Sequence, residues 1–190
     1  MVRLTKIYTR TGDGGKTRLG DMSEADKHDP RVEAYGDVDE ANSAIGLAQA
    51  ALNGDPLDRV LARIQNDLFD LGADLCVPES DEKLDWEPLR VKAEQVAALE
   101  AEIDALNARL EPLNSFILPA GSEASARLHI ARTVTRRAER KLSRLIASGA
   151  GVNAEALKYL NRLSDLLFVM ARIANEDGRL DVLWVPGGER

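Results

Sequence analysis

Three guanidinium groups stand four residues apart in the segment RLHIARTVTRRAERKLSR, at Arg132, Arg136 and Arg140, with Glu139 beside them. On a helix this spacing sets the three cations in a row along one side. Like charges so placed repel mildly and call for an opposing anion. Guanidinium forks make planar, charge-assisted contacts to phosphate oxygens, so the row suits a polyphosphate. A solvated face, or a helix lying on an acidic partner, is the plainer reading. Glu139 can orient an arginine, hold a cation or accept from a ribose hydroxyl. The next predicted helix carries NRLSD, which puts Asn161 and Asp165 one turn apart. Asn161 can read a ribose or base edge, and Asp165 can fix an arginine or a magnesium-bound water. Asp39, on the first helix, is a candidate ion-pair partner for one of the arginines.

The stretch YTRTGDGGKTRLGD suits the same kind of ligand. Glycines let successive amide N–H groups point into one concavity. Thr9, Thr11 and Thr17 add hydroxyl donors and Lys16 adds charge, while Asp13 suits a turn or a link to a cation. The segment is not a Walker A loop: Gly15-Lys16-Thr17 matches its last letters, but Arg10 stands where its first glycine is required.

The elements that position these groups are predicted to be helices. Leu57, Leu61, Ile64, Leu68, Leu71 and Leu75 form one apolar stripe, and Val96, Leu99, Ile103, Leu106 and Leu110 alternate steps of three and four. Periodicity and punctuation predict helices over 31–53, 56–76, 92–110, 122–147 and 153–175, after a structured loop or tail at 7–21. The expected fold is an all-α, up-and-down bundle forming a single domain over 1–190, with no convincing strands. Asn53-Gly54 closes the first helix, residues 78–90 form a solvated linker, and LLFVM in the fifth helix is apolar enough to be central or to sit between subunits. SFILPAGS is a conspicuously apolar linker. DVLWVP near the end reads as a brief extended segment.

Composition narrows the function classes. Hydrophobic residues make up 44% and charged residues 30% of 190, which is the profile of a soluble globular protein. A formal charge of -7 argues against nucleic acid as a partner while allowing a local cationic pocket. The single cysteine, Cys76, fits a buried site near a helix end in a reducing compartment. No run has the length of a membrane span and no apolar leader is visible, so the expected location is the cytoplasm. Neither His28 nor His129 follows a glutamate by three residues, which argues against a di-iron bundle.

YTRTGDGGKTRL, DPRVEAYGDVDEANSAIG, FILPAGS, LHIARTVTRRAER and YLNRLSDLLF occur in the order and spacing of a known family. Over Ile7 to about Asn175 the chain resembles the ATP:corrinoid adenosyltransferases of the propanediol-utilisation type. The resemblance implies a homotrimer with ATP at each subunit interface, and transfer of the 5′-deoxyadenosyl group of ATP to Co(I) of cobalamin or another corrinoid. It implies that Thr9, Arg10, Thr11, Gly12, Asp13, Gly14, Gly15, Lys16, Thr17 and Lys27 surround the triphosphate. Arg136, Arg137, Glu139, Arg140 and Asn161, with Asp165 beside them, would complete the nucleotide site, where Glu139 meets Mg2+. K+ is a further candidate cation. Asp39 would pair between subunits with Arg132 near the corrin, and Phe116 would displace the lower axial ligand; Phe116, Asp39, Arg132 and Arg136 are thus the expected catalytic set. A flavoprotein reductase and an adenosylcobalamin-dependent mutase are the implied partners. Two departures stand out: Gly14 replaces a lysine common in the family loop TGDKG, and Ala120 replaces the first glycine of LPGG.

Overall fold

The computed structural model describes residues 7–52, 54–80 and 84–188. Five helices account for most of it: α1 Pro30–Gln49, α2 Leu57–Leu75, α3 Ala93–Asn107, α4 Glu123–Ala147 and α5 Ala154–Ile173. Their starts follow side-chain caps. The Asp29 carboxylate accepts from the Arg31 N–H at 2.7 Å, Asp55 from Leu57 at 2.9 Å, Ser122 from Ser125 at 3.1 Å and Asn153 from Glu155 at 3.1 Å, each satisfying a donor that the first turn leaves open. At α3 the Gln95 side chain reaches back to the Lys92 N–H. The expected helices are all present. Two end early: α1 stops at Gln49 and α3 at Asn107, and beyond Ala50 and Ala108 the chain continues with bonds that span three residues. Asn53 lies outside the described residues.

α1 packs between α2 and α4, and α5 between α4 and α3, with α2 also touching α5. Gln95 to Asp67 at 2.8 Å and Arg63 to Glu102 at 3.4 Å tie α3 to α2 and close the ring. Lys141 pairs with Glu33 and Arg137 with Asp37, so α4 runs antiparallel to α1. The core is largely aliphatic, from Ile45, Leu61, Ile64, Leu68, Leu71, Leu128, Leu142, Leu160, Leu163 and Leu167. α5 is the inner helix, its LLFVM residues meeting α4 on one side and α3 on the other. No helix among the described residues is long and apolar enough to cross a membrane.

The sequence expectation of no strands is corrected at two places. β1 Lys16–Arg18 and β2 Glu24–Asp26 form an antiparallel hairpin. Strands of three residues are too short to leave a period of two in the sequence, and turn and docking contacts hold them instead. The Asp21 carboxylate closes the turn by accepting from the Ser23 N–H and hydroxyl, and the Gly20 N–H donates to Cys76 O at 2.8 Å at the end of α2. A side chain at Gly20 would meet Val77 at 2.6 Å, so this approach requires glycine. Cys76 is half-buried at the α2 terminus, rather than fully buried as expected. The extended C-terminal segment is present, and its partner is the apolar linker. Leu118 N–H donates to Val182 O at 2.7 Å and Trp184 N–H to Phe116 O at 2.8 Å.

Candidate active site

The N-terminal loop and the hairpin enclose a cavity of about 730 Å³ lined by Thr9, Thr11, Gly12, Lys16, Thr17, Arg18, Glu24 and Lys27. The loop reaches this shape through two residues with positive φ, Arg10 at 64° and Gly15 at 82°. Asp13 N–H donates to Arg10 O and Gly15 N–H to Gly12 O, which makes Asp13 a turn former as its type suggested. The amides of Gly12 and Gly14 have no acceptor among the described residues. Lys27 is locked to the loop by its own N–H, which donates to Gly15 O at 2.9 Å. Its ammonium lies 3.1 Å from where a Cβ on Gly12 would stand, so glycine there lets the cation settle against the backbone. Burial pushes the phenol of Tyr35 on α1 up, against a lowering influence of the Thr17 hydroxyl.

The charges in this cavity are not equivalent. Lys16 donates to Glu24 across the hairpin at 2.8 Å, and that carboxylate raises the Lys16 pKa. Lys27 and Arg18 make no ion pair with any described residue and are the lining cations open to an anion. Gly14 faces open space without a positive φ, so the fold does not demand glycine there. Arg18 and Glu24 are lining residues that sequence reasoning missed. Their only sequence signal is their nearness to Lys16 and Lys27.

The arginine row lies on the side of α4 that faces α5. Arg136 is exposed, and Arg140 donates to Arg136 O at 2.8 Å. Glu139 Oε1 accepts from Asn161 Nδ2 at 2.8 Å, and Asn161 Oδ1 accepts from Arg162 at 2.7 Å. Arg162 also donates to Glu100 and lies 3.8 Å from the exposed Asp165. Glu139 and Asn161 therefore form one oriented unit, with Asp165 tied to it only through Arg162. Arg137 turns the other way, to Asp37 at 2.7 Å and to Glu40, and those carboxylates raise its pKa. Asp39, on the same helix, is exposed with no hydrogen bond or ion pair among the described residues. Those residues contain no group of three or more His, Cys, Asp or Glu placed to hold a metal.

Arg132 is half-buried, and its Nε donates to His129 Nδ1 at 3.3 Å. Burial and the neighbouring Arg136 lower its pKa. His129 is 2% exposed, edge-on to Phe168, and its Nε2 has no partner. Burial, then Arg132, hold this imidazole below its ordinary 6.5, against a weaker pull from Asp181. The folded state keeps His129 neutral where the unfolded chain takes up a proton. Its contribution is therefore whole above about pH 6.5 and is lost as the pH falls below that value. The thermal midpoint should drop more steeply between about pH 6.5 and 5 in the wild type than in His129→Gln. Equal slopes by calorimetry would show that His129 has no part in it.

Phe116 is 78% exposed at the opposite end of the bundle from the hairpin. Its ring meets Trp184 edge to face at 6.0 Å between centroids. Trp184 was not among the expected site residues, because an aromatic in a short tail gives no hint of its distant neighbour.

The cavity, the α4–α5 face and the Phe116 end thus carry most of the expected residues, while Asp39 stands on α1 and Arg137 turns toward that helix. No hydrogen bond or ion pair joins Thr9–Lys27 to Arg132, Arg136 or Arg140. The hairpin is bonded to the α2 terminus, and Arg132 and Arg140 donate within their own helix.

The family model for cobalamin adenosyltransferases matches residues 7–174. The chain is 54% identical over 191 aligned residues to a corrinoid adenosyltransferase of Mycobacterium tuberculosis, covering 100% of this chain and 97% of that protein. It is 47% identical to one of Bacillus subtilis, covering 90% and 86%. A solved structure of a phenylalanine-to-alanine variant PduO-type ATP:corrinoid adenosyltransferase from Lactobacillus reuteri, complexed with cobalamin and ATP, is similar with a TM-score of 0.87. It is 40% identical, and the match covers 94% of this chain and 99% of that one.

Proposed function

The chain belongs to the PduO-type corrinoid adenosyltransferase family, and we propose that it transfers the 5′-deoxyadenosyl group of ATP to the Co(I) ion of a reduced corrinoid, releasing triphosphate. The observation that carries the reading is the separation of two phosphate-ready surfaces. No hydrogen bond or ion pair among the described residues joins the Lys27 cavity to the Arg136–Arg140 face of the same chain. A nucleotide gripped by both would bridge two copies, in keeping with the homotrimer with sites between subunits that the family resemblance implies. Thr9, Thr11, Gly12, Lys27 and the amide of Gly14 come from one subunit, and Arg136, Glu139, Arg140 and Asn161 from its neighbour.

In the reaction the electron pair of Co(I) attacks the 5′ carbon of ATP, the cobalt–carbon bond forms, and the 5′ carbon–oxygen bond breaks with its pair leaving on triphosphate. No proton is transferred, so the step needs no general base. The residues supply alignment and stabilise charge gathering on the leaving oxygens. Arg136 and Arg140 supply planar guanidinium donors for that charge, and Lys27 supplies a point charge.

Mg2+ suits the Glu139 position: this ion binds through one or two carboxylates plus substrate phosphates and keeps several waters. Glu139 offers one carboxylate, already oriented by Asn161. It would neutralise phosphate oxygens there, and K+ is the other candidate cation, in its place or beside it. Phe116 covers the lower face of the corrin, excluding an axial ligand so that four-coordinate Co(II) is more readily reduced. A flavoprotein reductase supplies the electron, and an adenosylcobalamin-dependent mutase takes the product, in the cytoplasm.

An anaerobic assay with chemically reduced cobalamin and ATP tests the reaction. The adenosylcobalamin spectrum should grow in step with triphosphate. A static spectrum with no triphosphate released would refute the assignment.

Asp39 and Arg132 each make no ion pair among the described residues, as an intersubunit pair requires. Arg132→Asp should lower the rate by about 10- to 100-fold, and combining it with Asp39→Arg should recover most of that loss. A double variant no better than the worse single one, with trimers intact by sedimentation, would exclude the pairing.

A further inference from the structure

We propose that Asn175, buried with Asp181 and Arg172 at the end of α5, is the positioning residue that sets where Phe116 stands; the inference rests on the role given to Phe116 above. A ring so exposed is not placed by core packing, and its backbone must place it. Two backbone bonds do so directly, Trp184 N–H to Phe116 O and Leu118 N–H to Val182 O. They make the position of Phe116 depend on the C-terminal strand.

That strand begins at Asp181, whose side chain is 3% exposed. Its Oδ2 accepts from Arg172 Nε at 2.7 Å and its Oδ1 from Asn175 Nδ2 at 3.1 Å. The neighbouring Leu180 N–H donates to Asn175 O at 3.0 Å.

The other flank of the Phe116 segment ends on the same side chain. Asn175 Nδ2 donates to Ala120 O at 3.2 Å, and Asn175 Oδ1 accepts from Ser122 N–H at 2.9 Å. Between them Gly121 adopts φ +109°, and a Cβ there would fall 2.3 Å from Asn175 Oδ1. The linker backbone is pressed on the amide, so a shift of Asn175 is passed to it. Arg172 adds a third hold by donating to Glu111 O at 3.0 Å, just before the linker. One residue, 1% exposed, therefore ties both sides of the Phe116 segment to the rigid end of α5. A buried amide with both its oxygen and its nitrogen engaged has one orientation, which suits a fixed post.

The experiment separates positioning from general stability by starting the reaction from two oxidation states. In Asn175→Ala the rate from Co(II) with a chemical reductant should fall about 10- to 100-fold, and the four-coordinate Co(II) signal in electron paramagnetic resonance with ATP should shrink with it. The rate from preformed Co(I) and the affinity for ATP should stay within about twofold. Asp181→Asn keeps the shape while weakening the Arg172 pair. It should show the same split to a smaller degree, and it serves if Asn175→Ala does not fold. Wild type inactive with Co(I) would overturn the adenosyltransferase reading. Phe116→Ala indistinguishable from wild type from Co(II) would overturn the role of Phe116 and this inference with it. With both controls as expected, either wild-type behaviour or an equal loss from Co(II) and Co(I) in the two variants overturns the positioning role.

Discussion

Phe116→Ala should slow formation of adenosylcobalamin from Co(II) by on the order of 100-fold, the scale on which a lost positioning contact acts. The reason lies in the reduction step. With the ring gone, water or the corrinoid's own base can ligate the lower face, and a ligated Co(II) accepts an electron reluctantly. Destabilisation cannot produce the same result. The ring is largely exposed, and its edge contact with Trp184 stabilises the fold by only about 0.5–1.5 kcal/mol, whereas 100-fold corresponds to about 2.7 kcal/mol. ATP affinity should be preserved, because the hairpin cavity is at the other end of the bundle. The measurement is a pair of progress curves, from Co(II) and from preformed Co(I), with ATP binding by calorimetry. An unchanged rate from Co(II) rejects the role.

Arg136→Ala should cost about 100- to 1,000-fold in kcat with Co(I) supplied directly, the range seen when a preorganised donor to developing charge is removed. Its guanidinium is exposed and donates to no described residue, so the fold loses nothing with it. Removing one cation from a row of three even relieves repulsion, and the thermal midpoint should hold or rise slightly. Arg136→Lys keeps the charge without the planar fork and should recover only part of the loss. A variant that loses ATP binding but keeps kcat would instead make Arg136 a ground-state anchor. A neutral outcome in both constants would remove the arginine row from the site.

Much of this molecule is legible from local spacing. Each helix announces itself by apolar residues at steps of three and four and by a capping side chain, because both depend on neighbours within a turn or two. The arginine row is equally local: three residues four apart share a side of any helix, whatever surrounds it. The loop's turn-forming character follows from its glycines for the same reason.

What local spacing leaves open is which partner each charge meets. Lys16 and Lys27 look alike in the sequence, yet the hairpin sets Glu24 across from the first and leaves the second without an ion pair. Arg136 and Arg137 are adjacent, yet one helical step of about 100° turns the second onto α1, where Asp37 and Glu40 engage it. The hairpin itself is invisible to periodicity because its strands are shorter than the pattern that reveals a strand. Phe116, Asn175 and Trp184 lie far apart along the chain and become one unit only when α5 packs inside the bundle and directs the tail back across the linker. Sequence determined the helices and the chemistry on offer, since those are properties of short stretches. Tertiary packing decided which groups are neutralised, which stay open to a ligand and what holds the aromatic in place, since burial and pairing depend on residues brought together from the whole chain.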